Sequence, residues 1–216
     1  MGELNPPRRS PLNRGSTLVT IALLAPISLL AAGDKPAAPQ AAPSTSSGAQ
    51  TWTVDDVHST ALFRVQHMGA GMFWGRFDGV TGTITTGTDA VAYDITIDTN
   101  SVSSGNEKLN GHLKSPDFFS VKEFPSMTFK STKAVRGTDG MWDVSGDLTM
   151  HGVTKPITAK VEQTGRMKGR GGEAIGFEAT FTVDRSQFGM NYGVEKGAIG
   201  KDVRVIVGLE ATAVTK

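Results

Sequence analysis

The chain has 216 residues, enough for one domain with a substantial core. It carries a formal net charge of +1 and no cysteine, which excludes disulfides, thiolate metal sites and a cysteine nucleophile. Residues 1–50 hold Arg8, Arg9, Arg14 and Lys35 against Glu3 and Asp34, leaving the remainder at −1 with no basic block, so no nucleic-acid partner is expected.

Residues 1–14 are polar and contain three arginines, and the run from Leu18 to Ala32 is almost wholly apolar. That run is shorter than the ~20 residues a membrane helix needs, and Pro26 interrupts it. A basic start, a short apolar stretch and small residues after it read as a secretory signal over 1–33. Cleavage after Gly33 would put Ala31 and Gly33 at the two recognition positions; an uncleaved anchor is the alternative. Arg8-Arg9 leaves Sec and twin-arginine export both open, although Pro11 stands where the latter wants an aromatic residue. Residues 34–50 are Pro, Ala and Ser with no large apolar side chain, and read as a flexible linker. The expected location is periplasmic or secreted.

From Thr51 onward apolar and polar residues alternate, the period of a half-buried strand. Ala61, Phe63 and Val65 form one such face, and Val91, Tyr93, Ile95 and Ile97 the next. Met127 with Phe129, then Val144 to Met150, Ile157 to Val161, Phe177 to Val183 and Val203 to Ala213 repeat the pattern. Turn residues separate the runs, at Gly79, Gly82, Gly87, Gly137 to Gly140, His151-Gly152 and Gly169 to Gly172. Strands of this number and spacing imply an all-β barrel or sandwich. One segment breaks the rhythm. Asn106 to Lys114 has Leu109 and Leu113 four apart, which is helical spacing, and Ser115-Pro116-Asp117 stops it. Phe118, Phe119 and Phe124-Pro125 follow at once. This helix and Phe-rich turn either cap one end of a barrel or form a surface crossover.

Four histidines, His58, His67, His112 and His151, invite a metal or acid–base reading. No ligand spacing of the His-Glu-x-x-His kind is present, so no metal is expected. His58 and His67 fall on opposite faces of an extended chain unless a bulge intervenes. His151 before Gly152 suits a hairpin turn, where histidine tolerates left-handed backbone. Asp55, Asp56 and Ser59 around His58 are too close in sequence to converge as a triad and suit a turn pinned by side-chain bonds to the backbone.

Motifs spread over the domain resemble the YceI-like family. They comprise Asp55-Asp56-Val57-His58-Ser59, Phe63, Val65, His67, Gly75-Arg76-Phe77, Ile97-Asp98, Ser101-Val102 and His112 to Phe119. Phe124-Pro125, Phe129-Lys130-Ser131, Gly146 to Thr149, His151 to Pro156, Asp184-Arg185 and Phe188-Gly189 continue the match, which runs from Trp52 to about Val214. Met72-Phe73-Trp74 is bulkier than the family pattern. The resemblance implies that residues 51–216 form an all-β, antiparallel, eight-stranded lipocalin-like barrel with one short helix and a capping Phe-rich turn.

It also implies an apolar tunnel for a long lipid, a polyisoprenoid such as a polyprenyl phosphate or an isoprenoid quinone, held for transport or storage. The tunnel candidates are Phe63, Val65, Phe73, Phe77, Phe118, Phe119, Phe129, Leu148, Phe177 and Phe181; the headgroup candidates are His67, His112 and Lys114. Catalytic residues and cofactors are not expected, the bound lipid being the ligand. A transient contact with a membrane surface, and a monomer or homodimer, complete the expectation. The competing readings are an enzyme acting on an isoprenoid through His67, His112 or Asp117, and a solid β-sandwich used for adhesion.

Overall fold

Because successive side chains of a strand point to opposite faces, each alternating run can bury one row against a common interior. The computed structural model, which describes residues 48–169 and 172–214, uses every run in this way. The expected signal segment 1–33 and most of the linker lie outside the described residues. The strands are β1 (Gln50–Val54), β2 (Thr60–His67), β3 (Gly71–Phe77), β4 (Val80–Thr86), β5 (Val91–Asp98) and β6 (Val102–Ser103). A helix, α1 (Glu107–Leu113), precedes β7 (Ser126–Arg136), β8 (Trp142–Met150), β9 (Val153–Gly169), β10 (Gly172–Asp184) and β11 (Ile199–Ala213).

The strands β1, β4, β5, β7, β8, β9, β10 and β11 form a closed antiparallel barrel of eight. Closure comes from β11 returning to β1, with Trp52 opposite Ala213 and Val54 opposite Ala211. The earlier part of β11 carries β2, from Gly208 opposite Thr60 to Ile199 opposite His67, and β3 pairs with β2. Thus β1 and β2 occupy successive lengths of one neighbour, as do β4 and β3 on the next position round the ring. The barrel is eight strands wide as expected, with β2, β3 and the short β6 added at one end, and a sandwich of two sheets is ruled out by the closure.

Local chemistry sets the breaks. Asp55 turns the chain between β1 and β2: its Oδ1 accepts from the Val57 N–H at 2.9 Å and the His58 N–H at 3.3 Å. His58 therefore sits in a turn and not on a strand. Between β8 and β9 a two-residue link places His151 at φ 52° and Gly152 at φ 73°, a pair of left-handed residues that matches strand twist. Asn106 caps α1 by accepting from the Leu109 N–H at 3.1 Å.

Packing is uneven along the barrel axis. At one end Trp52, Ile84 and Ala211 are fully buried, and Tyr93 packs edge-on against Phe177 with ring centroids 5.6 Å apart. At the other end inward-facing residues are only half-buried. On β11 the inward row passes from half-buried Val203 and Val205 to buried Val207, Leu209 and Ala211. These side chains face the interior, so their exposure reports a hollow and not an outer surface.

Candidate functional site

The hollow is a cavity of about 430 Å³, within the range of small-molecule sites. Its walls come from β2, β3, α1, the Phe-rich turn, β8, β10 and the start of β11. Leu109 and Leu113, one helical turn apart, direct α1 onto it, and Phe118 and Phe119 complete that side. The helix and turn thus cap the barrel. A second void of about 70 Å³ lies deeper and shares Ile97, Met127, Leu148 and Phe181 with the first. Beyond it the fully buried Trp52, Ile84 and Ala211 line neither space, so the expected tunnel is a pocket closed at one end.

Of the tunnel candidates, Phe63, Val65, Phe73, Phe77, Phe118, Phe119, Leu148 and Phe181 line the large cavity. Phe129 lines only the small one. Phe177 lines neither: it lies in the filled end, against Tyr93. The aromatic side chains form a continuous wall, in which Phe63 contacts Phe73, Phe77 and Phe119 at centroid distances of 6.1, 5.5 and 6.1 Å. Gly75 makes this possible, because the Phe63 ring lies where a Cβ on residue 75 would be.

The rim is polar in a few places. His67 ends β2 and lines the cavity. His112 also lines it; its Nε2 lies 2.9 Å from Asp117 Oδ2, and its ring stands edge-on to Phe118 and Tyr192 at 5.0 and 5.2 Å. Lys114, the third headgroup candidate, is the C-terminal cap of α1 and is not part of the cavity wall. It follows His112 by two positions, which turns it to another side of the helix.

Arg185, which the sequence offers only as part of the Asp184-Arg185 motif, is a wall residue. It is 4 % exposed and spends its N–H groups on backbone carbonyls: Nε on Gly200, Nη1 on Met190, and Nη2 on Tyr192 and Ile199, at 2.7–3.1 Å. Burial pulls its pKa below the ordinary arginine value. These bonds draw the segment between β10 and β11 against the barrel, where Met190, Tyr192 and Ala198 become wall residues. The Met68 N–H donates to the Ala198 carbonyl at 2.7 Å, fastening this segment to the β2–β3 hairpin. Met127, Met150 and Ile199 were also missed, since their strands' alternation says "inward" without saying that the interior is empty there, and Met190 lies in the segment between β10 and β11, which has no alternation to read.

The large cavity has no carboxylate in its wall. Outside it, Asp55, His58 and Glu210 are the one trio of metal-capable side chains that the described residues bring within 4.8 Å. Their bonds are those of a turn. Asp55 Oδ2 and His58 Nδ1 are 2.9 Å apart, and this bond holds the carboxyl below its usual pKa and the imidazole above its own. Ser59 Oγ accepts from the Glu210 N–H at 3.0 Å and donates to the Glu210 carbonyl at 3.3 Å, tying the turn to β11.

A family model described as the YceI-like domain matches residues 52–211. Protein YceI of Salmonella arizonae is 34 % identical over 157 residues, 71 % of this chain and 81 % of its own length. The Campylobacter jejuni YCEI protein superposes with a TM-score of 0.63 and 27 % identity, covering 70 % of this chain and 90 % of that one. Burkholderia cenocepacia BcnA shares the fold at a TM-score of 0.65 and 21 % identity, over 74 % of this chain and 99 % of its own. So does a polyisoprenoid binding domain from Saccharophagus degradans, at 0.60 and 19 %, over 76 % and 99 %.

Proposed function

Since this chain belongs to the YceI-like family, we propose that its half-hollow barrel binds a long isoprenoid lipid, tail inward, as a carrier or store. The observation that carries the reading is the 430 Å³ apolar cavity at one end of a barrel whose other end is filled. Burying ten methylene equivalents contributes roughly 8 kcal/mol gross, about micromolar affinity before ordering costs. The structural neighbour from Saccharophagus degradans is a polyisoprenoid binding domain, which supports the ligand class.

The lipid head sits at the rim between His67 and His112, with Asp117 orienting the His112 ring. A phosphate or quinone oxygen accepts from an N–H of His67, and from His112 through Nδ1–H in the imidazolium form, whose Nε2–H Asp117 holds. The cavity wall supports binding without turnover: it offers no carboxylate and no hydroxyl except that of Tyr192. The basic and apolar segments before residue 34 support export, with removal of residues 1–33 in the periplasm or during secretion.

Native mass spectrometry of the gently purified chain, with and without added polyprenol, tests the reading. A retained lipid mass and a raised melting temperature are expected. A folded barrel that takes up no prenyl lipid overturns it. Replacing His67 and His112 together by Ala should weaken a polyprenyl phosphate more than the corresponding hydrocarbon, and equal losses would remove the headgroup role. N-terminal sequencing of the exported chain reads the cleavage site.

A further inference from the structure

Eight large apolar side chains among the described residues are exposed; among them are Met68 and Tyr192 at the cavity, and Met72 and Trp74 on β3, the hairpin partner of β2. Met68 and Tyr192 line the opening itself. Met72 and Trp74 lie on the outward face of β3, and the register sets Trp74 beside Arg64 and Arg64 beside Arg204 on adjacent strands. The Arg64 guanidinium lies 5.7 Å from the centroid of the Trp74 ring.

Two like charges directly opposite on neighbouring strands work against sheet stability. Among the described residues neither arginine has a carboxylate within 4 Å: Asp78 holds Arg76 at 3.0 Å, Asp184 holds Lys201 at 3.0 Å, and Asp202, on the same outward row as Arg204, forms no ion pair with it. A surface that keeps two unneutralised arginines next to exposed Trp and Met is complementary to an array of phosphate groups over hydrocarbon. Arginine suits phosphate oxygens, and Trp and Tyr favour the level of lipid headgroups.

From this juxtaposition we infer that the outward face of β11, β2 and β3 beside the mouth docks on an anionic lipid bilayer. Docking brings the opening between Met68 and Tyr192 down to the headgroup level, so that an apolar chain passes between bilayer and barrel without crossing water. The purpose of the surface rests on the lipid-carrier reading; its existence does not.

The test uses vesicles free of any isoprenoid and the chain beginning at Asp34, which retains every strand of the closed barrel and omits the apolar segment 18–32. Flotation with phosphatidylglycerol–phosphatidylcholine vesicles should show binding that weakens with salt, and pure phosphatidylcholine should bind far less. R64Q/R204Q should lose about thirty-fold, at roughly five-fold per arginine. M72S/W74S should bind weakly at any salt. Trp52 and Trp142 are buried, so quenching of tryptophan emission by brominated lipid reports Trp74. All variants change outward-facing residues, and unaltered circular dichroism checks their folding. Absence of binding to anionic vesicles at low salt overturns the inference, as does equal binding by the arginine variant. Either result with prenyl uptake from detergent retained strikes only this surface, whereas vesicle binding without uptake strikes only the carrier reading.

Discussion

Gly75 and Gly146 provide a paired test of where the barrel is hollow. A Cβ at Gly75 would lie 2.4 Å from Phe63 Cζ and 2.8 Å from Cε1, against an ordinary carbon contact of ~3.5–4.0 Å. The ring must retreat by more than an ångström. It stands on the cavity wall, so it has empty space to enter. The Gly75→Ala substitution should therefore cost about 1 kcal/mol, the low end of overpacking, and lower the melting temperature by about 2–4 °C. The displaced ring removes room for about two methylenes of a ligand, at ~0.8 kcal/mol each, so a polyprenol should bind roughly ten-fold more weakly. At Gly146 the Cβ would meet the Lys130 carbonyl oxygen at 2.5 Å and the Phe129 ring at 2.6 Å. Backbone of a paired strand cannot step aside. Gly146→Ala should cost about 3 kcal/mol, a fall of roughly 6–12 °C, with little direct effect on the large cavity. Calorimetry and binding of radiolabelled polyprenol read both effects. Equal destabilisation by the two substitutions, or unchanged affinity of Gly75→Ala, would refute the reading that the Phe63 ring stands beside empty space while the Lys130 carbonyl is fixed.

Four further outcomes follow from the structure. His58 should titrate above the usual imidazole value and return toward it in Asp55→Asn, measured by NMR. Because the histidine is raised and the aspartate lowered, the stabilisation they share spans the interval between their ordinary values; it fades as pH rises through the folded His58 value, or falls through the folded Asp55 value. Arg185→Lys leaves buried carbonyls of the 190–200 segment unsatisfied and should cost about 3 kcal/mol or more, with faster hydrogen exchange across that segment; unchanged exchange would contradict its clamping role. Asn106→Ala should cost about 1 kcal/mol and fray α1, seen as lost amide protection near Leu109, while Ile84→Ala should cost about 2–5 kcal/mol yet leave ligand affinity intact.

Much of this architecture is legible before folding is considered. Alternation in β5, β8, β10 and β11 predicts which row faces inward, because the side-chain period of a strand is a local property of the backbone. The Leu109–Leu113 spacing and the Ser115-Pro116-Asp117 stop predict α1, and His151-Gly152 predicts the β8–β9 turn, again from local stereochemistry. Arg185 was not legible as a wall residue, since its four carbonyl partners lie 5–15 residues away along the chain. Nor was the separation of Phe177 from Phe181: both belong to the same inward row, one turned toward Tyr93 and the other toward the void.

The order of residues by itself determined that the domain would be an antiparallel all-β structure with an apolar interior and a helical interruption, because periodicity and turn chemistry act between neighbours. Only the tertiary structure decided that the interior is filled by Trp52, Ile84 and Ala211 at one end and left open under α1 at the other. Whether facing side chains meet depends on barrel radius and on the bulk brought from distant strands, and no single strand carries that sum.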